Sequence, residues 1–162
     1  MLWDQHACLP LQIDTDVAPL TRFGTPTGTF VSVNAGYAPH SFADSTALLR
    51  SFRTAVDAHD GMQLAATTSD VTAITDAGGI AVVFDLEDSA PIDDDLENIG
   101  RLAELGVRTM LPSYNHANRA GCGCLDTVDT GLTSWGAAIV AECNRVGIVV
   151  DGSHCSTRTG LD

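Results

Sequence analysis

Two kinds of apolar pattern alternate along the chain. Short runs of aliphatic and β-branched residues occur at Leu2 to Leu9, Thr29 to Asn34, Ile80 to Leu86, Arg108 to Leu111 and Ile148 to Val150. Runs of this length and composition read as strands, and the third and fifth are apolar enough to be buried on both faces. Between them the spacing turns helical. Leu48, Leu49, Phe52, Ala55 and Val56 share one helical face after Asp44 and Ser45, which are candidate caps. Leu96, Ile99, Leu102 and Ala103 do the same after Asp93-Asp94-Asp95. Leu132, Trp135, Ile139, Val140, Cys143 and Val146 form a third stripe around Thr133.

Strands that alternate with helices predict an α/β protein with a parallel sheet and helical crossovers. An open doubly wound sheet and a barrel both satisfy that pattern. No Gly-rich phosphate loop follows the first strand, which disfavours a nucleotide-binding sheet. Asp, Glu and His gather at the ends of several strands, where barrel enzymes build their sites. Five strands and 162 residues fall short of eight strands and the roughly 250 residues of a complete barrel. The expectation is therefore a partial (β/α)8 TIM-like barrel of about five strand-helix units, with residues 1–162 as one incomplete domain. Ser156 to Asp162 reads as the opening of a further helix. Half a barrel leaves strand edges and core faces uncovered, so this stretch is not expected to fold stably by itself.

Charge and composition narrow the function. Eight basic against 21 acidic residues give a net charge of -13, which repels phosphate backbones and argues against nucleic-acid binding. No apolar run approaches a membrane span. The N-terminal residues carry no secretory pattern, so a cytoplasmic location with five reduced cysteines is expected. No Gly-x-Ser-x-Gly elbow supports a serine hydrolase.

The strand ends carry the candidate chemistry. Alternation along the first strand would put Asp4, His6 and Cys8 on one face, and Asp85 and Glu87 share a face at the end of the third. The fifth runs into Asp151-Gly152-Ser153-His154-Cys155. In one parallel barrel, His6, Cys8, Glu87 and His154 meet at the C-terminal mouth. Imidazole, thiolate and carboxylate suit Zn²⁺. Cys122-Gly123-Cys124 is a poor zinc ribbon, Cys143 lies on a core-facing stripe, and Cys155 points away from its neighbour His154. Among the loop histidines His40, His59 and His116, the last is best placed to reach the site.

Ordered blocks across the chain resemble the membrane (renal) dipeptidase family of zinc metallopeptidases. Asp4-Gln5-His6-Ala7-Cys8-Leu9-Pro10 is similar to that family's opening Asp-Gly-His-Asn-Asp-Leu-Pro. Gly79 to Glu87 resembles the block that ends in a metal-bridging glutamate. Leu105 to Arg108, Tyr114 to Asn118, Gly131 to Gly136 and Asn144 to Ser156 follow in order. The resemblance implies a distorted barrel with a two-zinc site that cleaves dipeptides through a metal-bound hydroxide. It implies that His6 holds the first zinc, catalytic Glu87 bridges both, and His154 holds the second. Tyr114 falls where many members have a substrate-contacting His, and reads either as a pocket wall or as a packed ring. Cys8 stands where the family has Asp. It either replaces the carboxylate as a ligand, or leaves the first site weak or altered in metal preference. The family's further zinc-binding His, a basic residue for the substrate carboxylate and an acid/base Asp have no counterpart before Asp162. The chain is thus expected to be the N-terminal part of a dipeptidase and inactive alone. A homo-oligomer or a complementing C-terminal half is the expected partner, and a metal-poor, non-catalytic binding or assembly component is the rival reading.

Overall fold

Each apolar run forms a strand, and a sixth strand joins them, in a computed structural model that describes all residues from Met1 to Asp162. The strands are β1 (Leu2–Ala7), β2 (Thr29–Asn34), β3 (Met62–Leu64), β4 (Ile80–Leu86), β5 (Val107–Met110) and β6 (Val149–Val150). The helices are α1 (Phe42–Asp57), α2 (Thr68–Asp76), α3 (Glu97–Glu104), α4 (Ser134–Val146) and α5 (Thr157–Leu161). All strand pairs are parallel, in the order β1-β2-β4-β5-β6. One edge of β4 pairs with β2. Its other edge pairs first with β3, at Ile80 to Val82, and then with β5, from Phe84 onward. The sheet curls into a half-barrel, which is the partial barrel expected from the sequence.

β2 and β4 sit centrally, and every residue in both is buried. Their faces divide the core. Val31, Val33, Val82, Phe84 and Leu86 pack beneath Leu49 and Phe52 of α1, Ile99 and Leu102 of α3, and Ile139 and Cys143 of α4. Phe30, Ala81 and Val83 face the other way, with Ile74 of α2. On that side lies a cleft of about 980 Å³, lined by Trp3, Phe30, Val83, Thr109 and Val149 among others. Trp3 stacks on Phe30 at 3.9 Å yet stays 54% exposed. β1 and β6 end the sheet, each with one edge unpaired.

Helix starts follow local polar chemistry. Ser41 caps α1: its hydroxyl accepts from the Asp44 N–H, and the Asp44 carboxylate accepts from the Ser41 N–H at 2.9 Å. This reciprocal box starts the helix earlier than Asp44 and Ser45 suggest, and the Ser41 hydroxyl, which also donates to the Asp44 carboxylate at 2.6 Å, together with the Ser41 N–H holds that carboxyl below its usual pKa. Thr133 caps α4 through the Gly136 N–H, and Leu132, counted with that helix from its spacing, instead forms a bridge with Gly121. Ser41→Ala is expected to cost about 1 kcal/mol, read as a lower urea midpoint at unchanged m-value.

The register of β1 corrects the expected face. Asp4 pairs with Val31 and Ala7 with Val33, so two residues, Gln5 and His6, stand opposite Ser32 alone. This bulge reverses the alternation between Asp4 and His6. Asp4 therefore does not join His6 and Cys8, and its carboxylate instead accepts from the His6 N–H at 3.2 Å.

Candidate metal centre

In a parallel sheet all strand ends of one sense lie on one rim, and that rim collects the polar residues. The β1 bulge turns His6 toward Asp85 and Glu87, at the end of β4. His6 Nδ1 lies 2.9 Å from Asp85 Oδ1. The Ser32 hydroxyl donates to the other Asp85 oxygen at 2.6 Å. Asp85 is almost fully buried, so its charge is fixed in place by these two partners. A carboxylate accepts only, so Nδ1 carries the proton and the His6 Nε2 lone pair points outward. Nε2 lies 3.3 Å from Cys8 Sγ and 3.4 Å from Glu87 Oε1.

Glu87 is placed by its second oxygen. Asn34 Nδ2, at the end of β2, donates to Oε2 at 2.9 Å, while Asn34 Oδ1 accepts from the Gly36 N–H. Oε1 is thus left facing two imidazoles, His6 at 3.4 Å and His154 Nε2 at 4.0 Å. His154 follows β6 with a left-handed φ of 61°. Its Nδ1 lies 3.0 Å from Asn115 Oδ1, which directs Nε2 toward Glu87. The Tyr114 ring lies 4.4 Å from the His154 ring and 5.7 Å from Tyr37. The loop that carries Tyr114 and Asn115 is tied to the segment after β4 by Asn118, whose Nδ2 donates to buried Asp88 at 2.7 Å. It also closes against Gly123, where any Cβ would meet the Asn115 backbone at 2.3 Å.

The donor set fits a metal ion. One ligand atom each from His6, Cys8 and Glu87 lies within 4.8 Å of the others. Ligands sharing a tetrahedral zinc stand about 3.3 Å apart for N and O, and about 3.6 Å for N and S, from ordinary bond lengths. The two distances from His6 Nε2, 3.4 and 3.3 Å, are close to those values. His6, Cys8 and Glu87 therefore come together as one donor set, with His154 facing Glu87 from outside it at 4.0 Å and Tyr114 beside His154. Asp4 does not. His116 pairs with Asp126 at 3.6 Å and is not in the cluster. Cys143 is buried, and Cys155 turns its sulfur to Ser113.

The sequence reading missed three partners. Asp85 was visible only as a neighbour of Glu87, although a carboxylate inside an apolar strand already demands a buried partner. Asn34 closes β2 in the same way. Asn115 gave no signal, because its pairing with His154 spans separate loops.

Protonation follows from the same contacts. The hydrogen bond to Asp85 raises the His6 pKa, with the Asp85, Glu87 and Asp151 charges adding to it against the opposing effect of burial. Burial, then the Glu87, Asp85 and Asp4 carboxylates, push the Cys8 thiol up. An incoming cation competes with the second proton that His6 takes on Nε2 at lower pH, and it displaces the thiol proton of Cys8. Zinc affinity is therefore expected to rise with pH through the range where His6 and Cys8 lose them, as chelator competition across a pH series measures. A flat profile would oppose this. Asp85→Asn keeps the shape but removes the charge that orients His6. It is expected to weaken zinc binding about 10- to 100-fold, read in the same competition assay.

A sequence model of the membrane dipeptidase family, peptidase family M19, matches residues 12–162. His6 and Cys8 lie just before the matched stretch. An uncharacterized dipeptidase of Schizosaccharomyces pombe is 30% identical over 96 residues, covering 57% of this chain and 23% of that protein. An amidohydrolase structure from Pseudomonas aeruginosa superposes with a TM-score of 0.81 at 22% identity, over 98% of this chain and 47% of that one. A Rhodobacter sphaeroides metallopeptidase, liganded with a phosphinate mimic of the dipeptide L-Ala-D-Ala, gives 0.76 at 18%, over 98% and 60%. The chain thus spans about half the length of these solved relatives, and the aligned stretch about a quarter of the curated one.

Proposed function

This chain belongs to the membrane dipeptidase family, peptidase family M19, and from that premise we propose that the intact protein is a zinc-dependent dipeptidase whose metal centre includes His6, Cys8, Glu87 and His154. The observation that carries this reading is the position of Glu87 Oε1 between His6 Nε2 and His154 Nε2, at 3.4 and 4.0 Å. A carboxylate so placed suits a bridge between two cations. His6 and Cys8 would hold an ion on one side of it, and His154 would help to hold one on the other. When bound, a zinc pair supplies Lewis acidity that polarises the scissile carbonyl and acidifies water.

The chain's own residues do the rest of the positioning. Asp85 fixes the His6 tautomer, Asn34 aims Glu87, and Asn115 aims His154. Tyr114, whose ring lies tilted beside that of His154, serves as a wall for the substrate. The substrate class is supported by the Rhodobacter sphaeroides relative, whose ligand mimics a dipeptide. The cleft on the inner face supports completion of the barrel by further strands, from the same polypeptide or a partner.

The rival reading, a metal-poor relative that binds or assembles without catalysis, is favoured by one observation, Cys8 in place of the family's Asp. The two readings separate in one experiment. The protein, expressed from its complete coding sequence, is stripped with chelator, reloaded with zinc and assayed on a panel of L,L and L,D dipeptides. Zinc-dependent hydrolysis that chelator abolishes supports the dipeptidase. A well-folded protein that retains little zinc after reloading and cleaves no dipeptide supports the rival.

A further inference from the structure

The two sides of the centre are chemically unlike. The His6 side has a sulfur donor, with Cys8 Sγ 3.3 Å from His6 Nε2. The His154 side has none. Cys155, adjacent to His154, turns its sulfur to the Ser113 carbonyl at 3.7 Å and also accepts from the Ser113 hydroxyl. Cys124 turns toward Asn115 Oδ1 at 3.8 Å. Of this chain's residues, Glu87 Oε1 and His154 Nε2 face that side, an oxygen and a nitrogen.

Ligand softness sorts metals between such sites. Thiolate favours zinc, cadmium and cobalt(II), while carboxylate and imidazole accept harder ions such as manganese(II). We infer that Cys8 makes the centre chemically asymmetric: the first equivalent of a thiophilic cation enters the His6–Cys8–Glu87 side as a thiolate complex, and Cys8 sets which cation that side prefers. The inference rests on the metal-centre reading but not on dipeptide hydrolysis. Cys8 is the selectivity determinant, and Glu87 is shared by both sides. The thiol is largely exposed, so a cation reaches it without rearrangement of the core. Binding at neutral pH displaces the Cys8 proton to solvent, and the new bond is sulfur to metal.

Cadmium provides the probe. The metal-free protein, expressed from its complete coding sequence, is titrated with cadmium while the ultraviolet thiolate-to-cadmium charge-transfer band is followed. Cys8 alkylation by iodoacetamide is mapped in parallel by mass spectrometry. The band is expected to saturate at one equivalent, with Cys8 protected from alkylation at the same point. Cys8→Asp is expected to remove the band, still bind zinc, and lower the cadmium-to-manganese affinity ratio at least tenfold. Cys8→Ser serves as a second variant if Cys8→Asp loses its thermal transition. A band that survives in either folded variant, no band at all in protein that binds cadmium, or an unchanged affinity ratio overturns the inference. If the band behaves as expected while dipeptides are not cleaved, the asymmetry stands and the dipeptidase reading falls. If dipeptides are cleaved without a band, the reverse holds.

Discussion

Glu87→Ala in the intact protein is expected to abolish measurable dipeptide hydrolysis, a loss of about 10³-fold or more in kcat/KM, or roughly 4 kcal/mol of transition-state stabilisation. The reason lies in what Glu87 touches. Its Oε1 faces both His6 and His154, and its Oε2 accepts from Asn34. In the proposed two-zinc centre Glu87 would supply the carboxylate shared by both ions, so without it zinc content should fall along with activity. Asn34 Nδ2 would also lose its acceptor, which by itself costs about 1–3 kcal/mol. Glu87→Gln separates these effects. The amide oxygen can still accept from Asn34, so the thermal transition should stay near wild type, while the lost charge still removes metal and turnover. A Glu87→Gln protein with full zinc content and near-normal kcat/KM would remove Glu87 from the centre.

Phe84→Ala is expected to destabilise the fold by about 3–5 kcal/mol. Phe84 lies at the middle of the central strand, is fully buried, and stacks on Phe52 of α1 with ring centroids 6.3 Å apart. Gly106 packs against its ring so closely that a Cβ there would lie 3.1 Å from Phe84 Cδ2. Helix and loop are both locked on this side chain and cannot collapse far into the space it leaves. The cost is a large share of the roughly 5–15 kcal/mol that holds an ordinary domain together. Val128→Ala is the contrast: the side chain lies in the loop before α4, outside the cleft, and is 71% exposed, so its loss should stay within about 0.5 kcal/mol. Urea unfolding of the intact protein measures both. Equal midpoints for the two variants would contradict the placement of the core.

The difference between these two positions also shows what the sequence makes legible. Ile80 to Leu86 reads as a buried strand because apolar residues of strand length admit few alternatives, and β4 is buried throughout. β3 and α2 escaped notice for the opposite reason. Met62–Leu64 is too short to show alternation, and Thr68–Asp76 offers only Val71 and Ile74 as large apolar positions. At the site, residue type and strand-end position were enough to gather His6, Cys8, Glu87 and His154. The bulge that separates Asp4 from that group was not legible, since an inserted residue changes parity without changing composition. Nor were the pairings of His6 with Asp85 and of His154 with Asn115, which depend on how distant strand ends and loops meet in three dimensions.

Those pairings matter because they turn four scattered donors into an ordered centre. Each imidazole has one nitrogen held by an oxygen of the protein and presents the other to Glu87. This is how metal-binding histidines are commonly oriented before a metal arrives. The acidic residues that give the chain its charge are mostly elsewhere, on the surface.

The measurement that bears most directly on this account is the zinc content of the protein purified from its complete coding sequence, by elemental mass spectrometry, beside the Glu87→Ala variant. The account predicts about two zinc ions per chain, falling to less than one in the variant while both proteins keep a cooperative thermal transition. Absence of bound zinc after reloading a folded wild-type protein, or the same content in both proteins, would contradict it.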